Sequence, residues 1–144
     1  MNNDLLAALM SWAVHLSGYP PPDHMPEVML VTHAELVHRA CADQECRVLG
    51  WFPPGERIYL DKRLEPLDST YSSGVIVHEM VHYLQQTSGR FARATTSGNC
   101  DEVLAMEFQA YQAQRDFFTQ YGDYQPVGVS LHSTAKCTPA AVGP

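Results

Sequence analysis

Apolar residues recur every three or four positions near the start of the chain, at the helical spacing of Leu5, Leu6, Leu9, Met10, Ala13 and Leu16. This pattern predicts an amphipathic helix that packs on a core. The proline-dense segment "SGYPPPDHMP", residues 17–26, follows the helix and is typical of a turn and an extended linker. We therefore interpret residues 1–25 as an N-terminal helix and linker. They lack the basic n-region and small-residue cleavage site of a signal peptide.

The pattern after the linker alternates between short apolar runs and two long helical stretches. The predicted elements are a strand over 27–31, a helix capped by Thr32, a hairpin turning at 53–55, a helix over about 70–88 and a helix over 100–121. Residues 122–144 form an irregular tail rich in Gly, Pro, Ser and Thr. Because the strands precede the two main helices, we expect one α+β domain over 1–144. Its short antiparallel or mixed sheet would pack on the helix pair.

Composition narrows the possible functions of this 144-residue chain. Its hydrophobic share of 45% and charged share of 17% are those of a globular protein. The formal net charge of −7 disfavours nucleic acid as a partner, because such binding needs clustered Lys and Arg. Apolar runs are too short to span a bilayer, so no membrane span is expected.

The four cysteines contain no CxxC pair, which argues against a thiolate zinc site or a thioredoxin-like motif. They allow two disulfides in three connectivities, one of which pairs Cys41 with Cys46 and Cys100 with Cys137. Disulfides persist in oxidising compartments, so this interpretation favours a periplasmic or secreted protein whose signal peptide has been removed. Four reduced, buried cysteines in a cytoplasmic protein are the alternative.

The stretch "GVIVHEMVHYLQQ", residues 74–86, carries the clearest chemistry in the chain. His78 and His82 lie one helical turn apart, so both imidazoles can reach one tetrahedral cation. Glu79 is rotated by about 100° from His78, where it can reach a metal-bound water but not join the ligands easily. This H-E-x-x-H pattern predicts metal-assisted hydrolysis with Glu79 as general base. The alternative is a pair of hydrogen-bonded core histidines.

A catalytic zinc needs a third protein ligand and one open position. The long helix offers Glu102 and Glu107, which are about 140° apart around the helix axis, so only one can face the metal. Spacing alone does not decide between them. The remaining histidines of the first half, His15, His24, His33 and His38, are expected to be surface or packing residues.

"HEMVH" followed by a Glu on a second helix resembles the gluzincin branch of zinc metallopeptidases. Over residues 47–118 the chain is similar to single-domain minigluzincins and to small bacterial families with an HExxHxLQ motif. In several gluzincins the third ligand begins an E-x-x-A-[DY] stretch. Residues 107–111, "EFQAY", match it fully, whereas Glu102 begins only the E-x-x-A part. The resemblance implies a zincin-like fold and zinc held by His78, His82 and Glu107, with Glu102 as the alternative ligand.

The chain departs from this family where many gluzincins place an Asp that orients a zinc-bound His. That position is Tyr111 here, counted from Glu107, and Tyr111 can accept a hydrogen bond in its place. The resemblance also implies that the strand "ERIYLD" forms the sheet edge above a cleft, where an extended peptide can pair with it. Core packing by Ile58 and Leu60 is the alternative. Candidate oxyanion donors are Tyr59, Tyr111, Tyr124 and His132.

The function predicted from these features is zinc-dependent hydrolysis of a peptide or protein substrate. A non-catalytic zinc-binding or interaction domain of similar fold is the alternative from a different class. A metal hydrolase acting on a non-peptide bond is a third interpretation. Glu79 argues for an enzyme, because a structural zinc site does not require an acid beside its first ligand.

Overall fold

Helix α3, Thr70–Thr87, lies at the centre of the fold. The structure is a computed structural model, and it describes residues 2–91, 100–129 and 141–142. Ser69 caps the helix by accepting a hydrogen bond from the Ser72 N–H, and Gly89 follows its end with a positive φ of 77°. Every residue from Ser72 to His82 is buried. A helix buried on all sides must satisfy its polar side chains internally.

Two helices pack against α3. Helix α1, Asn3–Ser17, buries Leu6, Leu9, Met10 and Ala13 in the main core. Helix α4, Cys100–Gln120, comes so close to α3 that a Cβ at Gly74 would lie 2.3 Å from Phe118 Cε1. The glycine therefore lets the two helices that carry the candidate ligands approach each other.

A mixed sheet lies beside the helices. Strand β3, Ile58–Asp61, pairs in parallel with β1, Val28–Val31, and antiparallel with β2, Gly50–Trp51. Strand β4, Ala141–Val142, pairs antiparallel with β2, which makes the strand order β1-β3-β2-β4. Helix α2, His33–Cys41, begins at the predicted cap Thr32. The predicted α+β class and the hairpin of β2 and β3 are confirmed.

The prediction that "ERIYLD" forms a sheet edge is wrong. Strand β3 has a partner on both sides, and all four of its residues are buried. Ile58 and Leu60 are core residues, so the packing interpretation is correct for them. The hairpin pattern predicted β2 as one neighbour, but the parallel pairing with β1 is a long-range contact that local pattern does not reveal.

Cys41 and Cys46 form a disulfide that closes the loop after α2. The other predicted pair is not described, because Cys137 and the side chain of Cys100 lie outside the described residues. Within the described part of the chain, no helix is long and apolar enough to cross a membrane. The disulfide favours an oxidising compartment.

Asp61, at the end of β3, joins the sheet to α2. It accepts hydrogen bonds from the backbone and side chain of Arg63 and lies 3.1 Å from His33 Nδ1. The other ring nitrogen of His33 lies 2.8 Å from Glu45, while His38 contacts Asp43. Burial acts to raise the pKa of Asp61, but the hydrogen bonds and charge of Arg63 outweigh it, so the pKa is lowered. These two histidines make carboxylate contacts, as expected of packing or surface residues.

We expect Asp61→Asn to lower the free energy of unfolding by about 1–3 kcal/mol at pH 7, because it weakens several buried hydrogen bonds. A lowered folded-state pKa contributes stability above the unfolded pKa of about 3.9 and loses it as pH falls through the folded pKa. The difference from wild type should therefore shrink between pH 5 and pH 3, as measured by urea unfolding. Asp68→Asn, at an exposed position, is the control. Equal losses in both variants would contradict this role of Asp61.

Candidate metal centre

Three ligand-type side chains meet between α3 and α4. His78 and His82 lie on one face of α3, with their Nε2 atoms 3.2 Å apart. Glu107 of α4 places Oε1 2.5 Å from His82 Nε2 and 3.8 Å from His78 Nε2. Among the described residues, this is the one group of three or more His, Cys, Asp or Glu side chains that can hold a metal ion. All three are buried.

Two glutamines orient the imidazole rings. His78 Nδ1 lies 2.9 Å from Gln114 Oε1, and His82 Nδ1 lies 2.8 Å from Gln85 Oε1. Gln85 Nε2 donates to the Met106 carbonyl, which can only accept, so the Gln85 oxygen must face His82. His82 Nδ1 therefore carries a proton, which it donates to Gln85 Oε1. Gln114 Oε1 faces His78 Nδ1 in the same way, so His78 Nδ1 also donates. Both Nε2 lone pairs then point to the centre, as in metal-ligating histidines held by an outer partner.

The donor set fits a cation. The two Nε2 atoms and the Glu107 oxygen lie so close that they need a positive charge among them, which either a proton on His82 or a bound cation supplies. Two imidazoles and a carboxylate are ligands that divalent first-row metals accept. Glu107 Oε1 faces His82 Nε2 at 2.5 Å, so a proton or a metal ion between the two atoms would satisfy both.

The pKa values of the group reflect the same crowding. Burial lowers the pKa of His78. Burial also acts to lower the pKa of His82, but the charge and hydrogen bond of Glu107 outweigh it and raise the pKa to about 9. For Glu107, burial acts to raise the pKa, yet the two imidazoles outweigh it and lower the pKa. The Glu107 carboxylate thus stabilises one positive charge in the site.

Glu79 lies next to this group without belonging to it. Its carboxylate is buried, and neither oxygen has a hydrogen-bond partner among the described residues. Burial raises the pKa of Glu79 well above its ordinary value. A Cβ at Gly50 would lie 3.0 Å from Glu79 Cγ, so β2 runs directly beside the carboxylate. A buried carboxylate with no protein donor needs a proton, a water or a ligand as partner.

The other candidates lie elsewhere or have other contacts. Glu102 does not join the group with His78 and His82. Tyr111 packs edge-on against the His78 ring, with ring centroids 4.5 Å apart, while Gln114 accepts from His78 in the role expected of Tyr111. Tyr59 stacks on Trp51 in a separate apolar cluster. Tyr124 is exposed, and His132 lies outside the described residues.

Sequence reasoning missed the residues that support the group. Gln85 lies inside the HExxHxLQ stretch, so the motif contained it but gave it no role. Gln114 follows Glu107 by seven residues, two helical turns, which puts both side chains on the same face of α4. Gly50 carried a signal as well, because a glycine within a strand pattern often marks a close approach of the backbone.

In comparisons with known proteins, no family model matches the chain, and neither a curated protein nor a solved structure matches it. The likeness to gluzincins therefore rests on the motif and on the geometry of the group alone. The structure establishes a buried His-His-Glu group that can hold a metal ion.

We expect Glu107→Ala and Glu102→Ala to differ sharply in zinc affinity, because only Glu107 faces the two imidazoles. The loss for Glu107→Ala should exceed the about 10- to 100-fold that removal of an outer partner costs. Glu102→Ala should bind zinc as tightly as wild type. Competition with a chromogenic chelator measures both. Equal affinity in the two variants would show that Glu107 is not a ligand.

Proposed function

We propose that this protein is a zinc-dependent peptidase with a zincin-like fold, in which His78, His82 and Glu107 hold the metal and Glu79 is the general base. The observation that supports this most directly is the position of Glu79, an unpartnered buried carboxylate beside a three-ligand group. Three protein ligands are the number typical of catalytic zinc, which keeps one position for water or substrate.

Zinc suits this donor set. It binds imidazole nitrogen and carboxylate oxygen in tetrahedral geometry and has no redox chemistry of its own. When bound, it supplies Lewis acidity, which polarises a carbonyl and makes a water molecule a better nucleophile near neutral pH. Gln85 and Gln114 hold the two rings so that both Nε2 atoms stay available to it.

Glu79 then acts on the proton of the attacking water. A general base works best when its pKa lies near the working pH, and burial raises the pKa of Glu79 from the ordinary carboxyl range. The absence of a described hydrogen-bond donor leaves both of its oxygens available for a water proton. Proton transfer to the leaving amine is the second role that this position supports.

The resemblance to gluzincins is the basis for proposing a peptide substrate. Strand β2 runs beside Glu79 but is already paired with β3 and β4, so the resemblance alone supports a peptide substrate. The Cys41–Cys46 disulfide supports an extracytoplasmic setting, periplasmic or secreted, for this activity.

One observation favours a second candidate function, a non-catalytic zinc-binding or interaction domain. His78 and Glu79 are 0% exposed and His82 is 2% exposed, so the described residues enclose the group almost completely. A structural metal site needs no route for a substrate, whereas a catalytic zinc keeps one coordination position open to water or substrate. The two functions differ in whether the zinc-bound protein turns over a substrate.

Glu79→Gln separates the two candidates. We expect the variant to keep about one zinc per chain, since Glu79 is not a ligand, and to lose hydrolysis by about 100- to 10,000-fold, the usual contribution of a general base. Metal analysis and cleavage of a mixture of quenched fluorescent peptides measure the two properties. Glu102→Gln is the matched control and should retain both. Activity that persists in Glu79→Gln would exclude the general-base role. A zinc-loaded wild type that cleaves no peptide would favour the second candidate.

Gly50→Ala, in the neighbouring strand β2, tests whether the position of the Glu79 carboxylate matters for hydrolysis. The added methyl would lie 3.0 Å from Glu79 Cγ and 3.1 Å from Oε2, so the carboxylate must shift. A shift of a few tenths of an ångström is enough, so we expect zinc affinity to stay unchanged and hydrolysis to fall by less than the about 100-fold that a displacement of 1 Å costs. Parallel measurements of peptide cleavage and zinc content check this. Full activity in Gly50→Ala would contradict the requirement for close packing here.

A further inference from the structure

A chain of hydrogen bonds leads from the metal centre to the segment after α1. His82 donates to Gln85, and Gln85 Nε2 donates to the Met106 carbonyl and to Gln109 Oε1, at 3.0 and 3.3 Å. The hydroxyl of Tyr19 donates to that same Gln109 oxygen. Three separate parts of the chain, namely α3, α4 and residue 19, thus meet in one network.

The direction of each bond in this chain is determined by the Met106 carbonyl. Because this carbonyl can only accept, Gln85 must present its amide nitrogen to it and its oxygen to His82. Gln109 faces the same Gln85 nitrogen and must therefore present its oxygen. Tyr19 can then only donate. No member can reverse without breaking a bond to its neighbour, so the network keeps one orientation of the His82 ring.

Tyr19 follows Gly18, which ends α1 with a positive φ of 78°. The turn directs the tyrosine back onto the core, where its ring packs partly buried. A second tyrosine, Tyr83 of α3, anchors the segment 17–26 to the helix by donating to the His24 carbonyl at 2.7 Å. Tyr83 thus makes a similar hydroxyl bond to the segment, but its bond does not lead to a metal ligand.

We propose that Tyr19 is a positioning residue of the metal centre, which acts through Gln109 and Gln85 to hold His82 in its metal-binding orientation. This inference rests on the proposed metal site, but not on peptidase activity. The segment 17–26 is therefore more than a linker, because its Tyr19 side chain supports the candidate ligand His82 through two intervening glutamines.

The test is the zinc affinity of Tyr19→Phe, which removes only the hydroxyl. We expect an affinity about 3- to 10-fold lower than wild type, the effect of one neutral hydrogen bond. Cobalt(II) in place of zinc should show altered visible absorption bands, since these report the geometry of the ligands. Urea unfolding of metal-free wild type and metal-free Tyr19→Phe checks that the two proteins fold alike. Tyr83→Phe is the matched control, and it should leave the affinity and the cobalt spectrum unchanged.

A double-mutant cycle ties the effect to Gln109. Gln109→Leu should itself weaken zinc binding, and Tyr19→Phe should then have no further effect, because the connecting side chain is gone. An unchanged zinc affinity in Tyr19→Phe, an equal loss in Tyr83→Phe, or additive losses in the double variant would each overturn the proposal. Failure of wild type to bind zinc or cobalt would instead overturn the metal site and the proposed function with it.

Discussion

The fold depends on bringing two imidazole nitrogens and a carboxylate oxygen together inside an apolar interface between α3 and α4. Isolated polar groups at such a position cost several kcal/mol, and acceptors that face one another cost more. The structure offsets this by attaching each ring to a glutamine, and one positive charge among His78, His82 and Glu107, a proton or a metal ion, offsets the rest. The close helix crossing that Gly74 permits is what brings the two helices within reach.

Around this group the polar residues of the core divide into two kinds. Gln85 and Gln109 belong to a network in which the Met106 carbonyl determines the direction of each bond, while Gln114 holds the ring of His78. Glu79 is of the other kind, since its buried oxygens have no donor among the described residues. This contrast is the basis on which we propose a chemical role for Glu79.

The sequence predicted much of the local structure. The helices over 70–88 and 100–121 match Thr70–Thr87 and Cys100–Gln120 closely, because caps, glycines and apolar periodicity act locally. The place of β3 in the sheet was predicted wrongly, since α2, β2 and their loops separate it along the chain from its parallel neighbour β1. The spacing places Gln114 on the same face as Glu107, but its contact with His78 across the helix interface could not be predicted from spacing.

By itself the sequence determined that His78 and His82 share a helix face and that Glu79 does not, since helical geometry allows no other arrangement. It also offered Glu102 and Glu107 as candidate third ligands, which face different directions on one helix. Only the tertiary structure placed Glu107, rather than Glu102, against the imidazoles, because the crossing of α3 and α4 selects which face of α4 meets them. The same crossing brought Gln85, Gln109 and Tyr19 into one network, which no spacing along the chain encodes.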